Sequence, residues 1–427
     1  MGISTSSKAY SNRWQLGTPF TILTKDNGEL CTPRLWTLPC GDLLVTYSDD
    51  GDFGYARWRA TRSRDSGKTW QEDVEVLSAP AFLSLDRSTT RMYEFHSFAV
   101  KESKPSRFLF RYRDSIDDGR TFGPNQYAAY EHDVERGPCI GDGEKIHTLF
   151  HNLIHWEDVL TAAGWEKLEW LNAQTGYHGP SYFTHFIRFN DGSLGHVVNL
   201  QSDGAGSTAT WHLHLLRSTD GGVTWHHRSR ITPLVNPSNA SEGCPVRLAN
   251  GRLHVVFRYP PDHRKVRQTW SEDDGLTWSE PTILHDHVCG IVPAVHRLAD
   301  GALMLVYGRP GMWIMFDPTG TTRGWEVERR FDLTRGEELT LRTNAPVKTA
   351  RLDLLYYKRY CDPYYASFAP KTLFADGLYY YSWENVNARE VSPGRVLAVY
   401  DVQNFVEVPS GPARKAIRGV WLTRTSA

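Results

Sequence analysis

The sequence lacks long apolar runs, a surplus of charge of either sign, and closely spaced cysteines. No window holds the roughly 18 uncharged apolar residues of a membrane span, so no membrane association is expected. The formal net charge is -1, which argues against a nucleic-acid partner, since such proteins carry a basic surface. The six cysteines show no Cys-x-x-Cys spacing and are too few for a disulfide framework. We therefore expect no metal and no other cofactor.

A secretory leader is also missing from the sequence. The first ten residues, MGISTSSKAY, contain neither a basic stretch nor an apolar segment after it. This predicts either a cytoplasmic protein or the mature form of a secreted one, and the sequence does not choose between them.

What the sequence does contain is a repeated motif, Ser-x-Asp-x-Gly-x-Thr-aromatic. It occurs at Ser63–Trp70, Ser115–Phe122, Ser218–Trp225 and Ser271–Trp278, and a degenerate fifth version spans Asp317–Trp325. In such a turn the aspartate accepts hydrogen bonds from backbone N–H groups, the glycine takes a positive φ and the aromatic ring packs under the next strand. Four copies in register indicate one structural unit repeated along the chain.

Short hairpins alternate with these turns. CPVRLANGRLHVVFRYP, FIRFNDGSLGHVVNL, AVHRLADGALMLVYG and KTLFADGLYYYSW each place apolar strand-like runs around an Asn-Gly or Asp-Gly turn. One hairpin followed by a second hairpin that carries the repeated motif makes a four-stranded antiparallel blade. Radial repetition of such blades predicts an all-β propeller.

The spacing of the motifs predicts the number of blades. They begin at residues 63, 115, 218 and 271, and the middle interval is about twice the others. Residues 137–177 therefore hold either an insertion, which gives six blades, or a degenerate blade, which gives seven. We predict six, in a single domain over residues 1–427. A strand near Phe20–Leu23 is expected to pair with a C-terminal strand and close the ring.

The repeated motif resembles the Asp-box of the sialidase superfamily of BNR-repeat propellers, and further residues match that family. Asp52 lies eleven residues before the first motif, where the family has its general acid/base. Glu242 and Arg258 begin and end SEGCPVRLANGRLHVVFR. At these places the family has the glutamate that polarises its tyrosine nucleophile and an arginine that binds the substrate carboxylate. Arg309 takes the place of a further carboxylate-binding arginine.

Two positions depart from the family pattern. Cys31 stands where the family has its first arginine, and Arg34, three residues on, is the nearest replacement. Counting back from Gly377, Phe368 stands where the family has its nucleophile, and Tyr365 is a nearby replacement. A planar guanidinium binds a carboxylate in bidentate fashion, which makes each arginine important for recognition of an acidic sugar.

The resemblance implies an exo-acting glycoside hydrolase that removes a terminal, acidic sugar from a glycan. The predicted catalytic residues are Asp52, Glu242 and Tyr365, and the predicted substrate-binding residues are Arg34, Arg258, Arg309 and His178. One alternative is a propeller-type polysaccharide lyase acting on a uronate, in which an arginine neutralises the carboxylate and His178 moves a proton. The other is a glycan-binding propeller without catalysis. Fold alone does not choose among the three.

Overall fold

The computed structural model describes residues 10–26, 30–49, 58–72, 80–84, 89–100, 106–132, 186–202, 210–233, 240–259, 265–286, 288, 290–308, 312–333, 386–405, 412 and 414–425. Within these ranges the regular structure is β-strand, apart from short 3-10 helices at Tyr10–Arg13 and Val327–Arg329. The prediction of an all-β chain is confirmed.

The strands of the N-terminal part form one blade and the first half of a larger sheet. Two short strands come first, β1 (Trp14–Leu16) and β2 (Phe20–Lys25). The first blade holds β3 (Cys31–Thr37), β4 (Leu43–Ser48), β5 (Trp58–Ser63) and β6 (Gln71–Glu72). The next four strands are β7 (Pro80–Ser84), β8 (Thr90–Val100), β9 (Ser106–Ser115) and β10 (Gln126–His132).

The second half of the larger sheet follows after residues 133–185. It holds β11 (Phe186–Arg188), β12 (Leu194–Ser202), β13 (Thr210–Ser218) and β14 (Thr224–Arg230). Strands β10 and β14 pair in parallel, with Tyr130 opposite Trp225, and this pairing joins two antiparallel groups of four strands into one sheet of eight.

The C-terminal part holds two further blades of four strands and the sheet that closes the ring. One blade contains β15 (Ser241–Arg247), β16 (Leu253–Arg258), β17 (Val266–Ser271) and β18 (Thr282–Ile283). The other contains β19 (Ile291–Arg297), β20 (Leu303–Gly308), β21 (Met312–Asp317) and β22 (Phe331–Asp332). The last sheet contains β23 (Val386–Ser392), β24 (Arg395–Phe405) and β25 (Arg414–Arg424).

The two ends of the described chain meet in this last sheet. Strand β2 pairs with β25 in antiparallel fashion, with Phe20 opposite Gly419, and β1 pairs with a later part of β25. A Cβ on Gly419 would lie 2.6 Å from the Phe20 ring, so a larger residue would push β2 away. The predicted closure of the ring by a strand near Phe20–Leu23 is confirmed.

The blades pack face to face, and the hydrophobic core consists of layers between neighbouring blades. Leu35 and Val45 of the first blade pack against Leu397 and Val399 of the last. Comparable layers join β15–β18 to β19–β22, and β19–β22 to β23–β25. Alternate side chains of each strand point to opposite neighbours, which explains why strands such as β4 and β20 are buried on both faces.

Each Asp-box turn has the hydrogen bonds that its sequence predicts. In the first, Asp65 accepts from the Thr69 N–H at 2.9 Å and from the Thr69 hydroxyl at 2.6 Å, while Ser63 Oγ accepts from the Gly67 N–H at 2.7 Å. The same pattern recurs around Asp117, Asp220 and Asp273. All four turns follow the third strand of a group of four strands, as the resemblance implied.

The degenerate fifth motif also forms a turn after a third strand, but it is built differently. Asp317 ends β21 at the place that serine occupies in the other turns, and its Oδ1 accepts from the Thr319 N–H at 2.8 Å and the Thr319 hydroxyl at 2.6 Å. Gly320 takes a φ of 64°. The aspartate therefore replaces the serine as the capping group, and the turn keeps its place in the blade.

Substitution of Asp117 by asparagine is expected to destabilise the fold in a pH-dependent way. Hydrogen bonds from Ser115 and Thr121 lower the pKa of this carboxyl below its ordinary value of about 3.9. A lowered pKa stabilises the fold above about pH 4, and the effect is lost as the pH falls through the native pKa. The difference in melting temperature between wild type and Asp117→Asn should be largest near neutral pH and should narrow below about pH 4.

The neighbouring residue provides a matched control. Asp118 lies in the same turn, takes a φ of 61° that asparagine tolerates, and is 3.7 Å from Arg120. Asp118→Asn removes the same charge without removing an acceptor of the turn. If the melting-temperature difference between wild type and Asp118→Asn narrowed equally at low pH, the pH dependence could not be assigned to the hydrogen bonds of Asp117.

Candidate functional site

Five strands line the axis of the propeller, and their common direction defines its two ends. We call β3, β11, β15, β19 and β23 the inner strands, because each lies at the edge of its sheet and contacts its counterpart in a neighbouring blade. We call the end at which β3, β15 and β19 begin the open end. The hairpin turns after the inner strands and the Asp-boxes lie at the other end, the turn end, where the Cys40 N–H donates to the Asp118 carbonyl.

Three inner strands begin with the same irregularity at the open end. The register shifts between Cys31 and Arg34, between Ser241 and Cys244, and between Ile291 and Ala294. The second residue of each bulge has a positive φ: 53° at Thr32, 57° at Glu242 and 48° at Val292. Non-glycine residues rarely adopt such angles, and β-branched residues least of all. Bulges of this kind are common beside active sites, where they redirect a side chain.

Glu242 sits at one of these bulges and is held by two groups. Its Oε1 accepts a hydrogen bond of 2.6 Å from Arg258 Nη1 at the end of β16. Its Oε2 accepts one of 2.6 Å from the N–H of Val292, the equivalent residue in the next blade. The structure therefore brings together Glu242 and Arg258, and the predicted pair lies at the open end.

The backbone beside Glu242 is closely packed. Gly243 follows it in the bulge, and a Cβ at this position would lie 2.8 Å from Val197 and 3.0 Å from Leu213 of the preceding blade. The absence of a side chain at Gly243 lets the start of β15 approach that blade. This close contact fixes the position of the Glu242 backbone.

Arg258 keeps unused hydrogen-bonding capacity. Only its Nη1 contacts Glu242, and its Nε is buried with no hydrogen-bond partner among the described residues. Its side chain is 20% exposed, whereas that of Glu242 is 8% exposed. Because the side chain is partly exposed and Glu242 occupies one terminal nitrogen, the exposed part of the guanidinium can bind a second acceptor.

Other side chains also satisfy backbone N–H groups at the inner edges of the blades. The Asn387 side chain accepts from the Leu35 N–H at 3.1 Å, and Glu390 Oε2 accepts from the Ala299 N–H at 2.6 Å. The inner edges would otherwise expose unpaired donors to the axis. Glu242 shares this tethering role, which sequence reasoning did not predict.

Arg34 and Cys31 lie on β3, where the family pattern is altered. Cys31 is fully buried, and its thiol donates to the Ser48 carbonyl at 3.8 Å. Arg34 is also buried and lies two residues further from the open end than Thr32. Burial raises the pKa of the Cys244 thiol in β15 to about 12, and the positive charge of Arg34 offsets part of that shift.

Four predicted site residues, Asp52, His178, Arg309 and Tyr365, lie outside the described residues, as does Phe368. The strands that precede Asp52 and Arg309 end at the open end. Their last residues, Ser48 and Gly308, pair with Cys31 and Ile291, where β3 and β19 begin. Asp49, three residues before Asp52, accepts from Arg59 Nε at 2.7 Å and lies 3.4 Å from Lys25. That carboxylate is therefore engaged in structural contacts.

The three bulges could have been located from the sequence, because each lies at the same distance from the turn glycine of its hairpin. Thr32, Glu242 and Val292 each lie nine residues before the turn glycine of their hairpin, which is Gly41, Gly251 and Gly301, respectively. Alignment of the three hairpins on these glycines would have identified Val292 as the residue equivalent to Glu242 in the next blade. The described part of the chain contains no cluster of three or more His, Cys, Asp or Glu residues that could hold a metal ion. It also contains no helix long and apolar enough to span a membrane.

Comparisons with known proteins agree with this architecture. The sequence profile of the BNR repeat-like domain matches residues 160–360. No curated protein matches the chain by sequence. A protein of unknown function from Dyadobacter fermentans has a similar structure, with a TM-score of 0.61 and 16% identity over 96% of this chain and 99% of that one.

Two solved glycoside hydrolases also share the fold. The α-L-arabinofuranosidase Arb93A from Fusarium graminearum, in complex with an iminosugar inhibitor, gives a TM-score of 0.53 and 13% identity over 95% of this chain and 98% of that one. A mutant of the NanB sialidase from Streptococcus pneumoniae gives 0.53 and 11% identity, covering 95% and 70%. At these identities the likeness establishes the fold. With the four Asp-boxes and the profile matched over residues 160–360, it confirms the predicted resemblance to the sialidase-like superfamily of BNR-repeat propellers.

Proposed function

We propose that this protein is an exo-acting glycoside hydrolase that removes a terminal acidic sugar from a glycan at the open end of the propeller. The observation that carries the proposal is the Glu242–Arg258 pair, with both Glu242 oxygens engaged and the Arg258 side chain 20% exposed. Arg258 would bind the sugar carboxylate, and Glu242 would act as the partner carboxylate.

The remaining roles in this proposal come from the family resemblance. Asp52 would be the general acid/base, and Tyr365 would act as the nucleophile that Glu242 polarises. Arg309, Arg34 and His178 would complete the binding of the substrate. If no tyrosine acts as the nucleophile, Asp52 and Glu242 would form an acid/base pair, and the separation between them would then decide between retention and inversion.

A panel of glycans with different terminal sugars, sialosides and uronides included, tests the proposal. We expect release of a free sugar from one or more acidic substrates. An unsaturated product, seen by its ultraviolet absorbance, would instead identify a polysaccharide lyase. Binding on a glycan array without turnover would identify a carbohydrate-binding propeller.

Conversion of Arg258 to lysine is expected to raise KM for an acidic substrate about tenfold or more, because an ammonium cannot replace a planar guanidinium fork. The charge next to Glu242 is kept, so kcat should change less than KM. Steady-state kinetics on paired acidic and neutral aryl glycosides would measure this. An equal rise of KM for both substrates would argue against a carboxylate-binding role.

A second candidate is a hydrolase of neutral terminal sugars. It is favoured by Cys31, which is fully buried where the family has an arginine, and by the similarity to an α-L-arabinofuranosidase. With one cation fewer at the start of β3, the open end would discriminate less in favour of an acidic sugar. Turnover of arabinofuranosides but not of sialosides or uronides in the same panel would select this candidate.

We further propose that the two halves of the eight-stranded sheet count as two blades. Together with the four other sheets they make six blades, with residues 137–177 as an insertion in a single domain. An experimental structure that showed an additional four-stranded blade formed by these residues would raise the count to seven.

A further inference from the structure

Arg389 lies on β23, and its position in the sheet gives the direction in which its side chain leaves the strand. It pairs with Leu397, so the two share a face of the sheet. Leu397 packs against Leu35 and Val45 of the blade β3–β6. The Arg389 side chain therefore leaves β23 on the face turned toward that blade.

The guanidinium nevertheless contacts the blade on the opposite side. Its Nη1 lies 2.6 Å from Nδ1 of His296 and also contacts Nε2 of that ring. His296 belongs to β19 and pairs with Met304, whose face packs against the blade that contains β23. A side chain that leaves β23 on one face and touches the neighbour on the other has to pass the inner edge of the strand. The Arg389 guanidinium therefore lies at the axis.

Contacts with two further blades support this position. The Arg389 Cζ lies 5.8 Å from the ring centroid of Trp36, which follows Leu35 on β3 and so points to the other face of that strand. The Arg389 charge also acts on the thiol of Cys244 on β15.

No carboxylate balances the charge of Arg389 in the described part of the chain. Its polar contact there is the imidazole of His296, which must accept through a ring nitrogen that carries no proton. Burial lowers the pKa of Arg389 to about 10, and the group that opposes this shift is the Cys244 thiol and not a carboxylate. Burial of an uncompensated cation is costly, and proteins usually supply a counter-charge.

Arg389 is largely but not completely enclosed. The Arg389 and His296 side chains are each partly exposed although they lie at the axis of the molecule. Solvent-accessible surface at this depth belongs to the space between the inner strands. His296 is four residues from Val292, which at about 3.3 Å per residue separates this region from the open end by roughly 13 Å.

We propose that the axis of the propeller holds a binding site for a small inorganic anion, formed by the guanidinium group of Arg389 with Trp36 and His296 beside it. The anion supplies the counter-charge that the described residues do not provide. The site is distinct from the open end and does not depend on the function proposed for Glu242 and Arg258.

Bromide is a suitable probe because it is a small anion with an anomalous X-ray signal. We expect the melting temperature of the wild-type protein to rise saturably when sodium gluconate is replaced by sodium bromide at constant ionic strength. Arg389→Gln should lose this rise. Arg395→Gln should keep it, because Arg395 lies on the same blade, is exposed and packs on Trp421 at 4.1 Å.

A bromide-soaked crystal of the wild-type protein gives an answer that does not depend on the folding of any variant. The expected result is an anomalous peak at the axis within hydrogen-bond distance of the Arg389 guanidinium. The proposal is overturned if the peak is absent, if a carboxylate of the chain pairs with Arg389, or if a peak occurs without any bromide-specific rise in melting temperature.

Discussion

Replacement of Glu242 by glutamine is expected to lower kcat/KM by about 10²–10⁴-fold on the substrate identified for this protein. Glutamine keeps the shape of the side chain and one acceptor oxygen, but it removes the charge that faces Arg258 Nη1 at 2.6 Å. If Glu242 is the partner carboxylate of the reaction, the loss should appear mainly in kcat. Steady-state kinetics together with a thermal unfolding curve would separate this loss from a change in stability.

Glu390 provides the matched control for this substitution. Like Glu242 it lies on an inner strand and accepts two hydrogen bonds, from the Ala299 N–H at 2.6 Å and the Gly394 N–H at 2.7 Å. It lies at the turn end, away from the proposed site. Glu390→Gln should leave kcat/KM nearly unchanged, and a loss as large as that of Glu242→Gln would show that the tethering of blades, and not chemistry, explains the effect.

Asp52→Asn extends the test to the proposed general acid/base. We expect a loss of similar size, because transfer of a proton to the leaving group requires a carboxyl at this position. A pH–rate profile of the residual activity should lose its acidic or its basic limb. Retention of full activity by both Asp52→Asn and Glu242→Gln would exclude the proposed hydrolytic site.

Replacement of Trp225 by alanine should have the largest effect on stability, about 3–5 kcal/mol. Its indole ring is 1% exposed, its Nε1–H donates to the Gly222 carbonyl at 3.0 Å, and its ring lies 5.9 Å from Phe186 and 5.8 Å from His196. Removal of the ring leaves a cavity inside the eight-stranded sheet. Urea unfolding followed by circular dichroism would measure the change.

Trp70 holds the same place in the first Asp-box and serves as the comparison. Its Nε1–H donates to the Gly67 carbonyl at 3.2 Å, but its ring is partly exposed beside the two-residue strand β6. Trp70→Ala should cost clearly less than Trp225→Ala, since less apolar surface returns to water. Equal losses in the free energy of unfolding would contradict this explanation. They would mean that the indole hydrogen bond, which both turns share, determines the stability and that burial does not.

Local chemistry allowed much of the fold to be predicted from the sequence. Each Asp-box contains its own acceptors, donors and glycine, so its geometry depends little on the rest of the chain. Strands such as Leu253–Arg258 follow turns with an equally clear signal. By contrast, the hairpin between β23 and β24 turns at Pro393-Gly394 and contains Arg389 and Glu390, and sequence reasoning did not identify it.

Contacts between segments that are distant along the chain could not be predicted from the sequence. The parallel pairing of Tyr130 with Trp225 joins residues almost a hundred positions apart, and no local pattern encodes it. The same holds for the N–H of Val292 beside Glu242, which requires the register of two neighbouring blades. The pairing of Glu242 with Arg258 was within reach because both lie on one hairpin.

The outer edges of the sheets bear on how this protein avoids association with itself. Exposed strand edges act as templates for pairing with another chain, and long flat edges are the most hazardous. Three blades end in outer strands of only two residues, Gln71–Glu72, Thr282–Ile283 and Phe331–Asp332. The two seven-residue outer strands, β10 and β14, pair with each other. Apart from β2 in the sheet that closes the ring, the described outer strands thus offer little free edge to a second copy. Conditions that separate β10 from β14 would be the ones that promote aggregation.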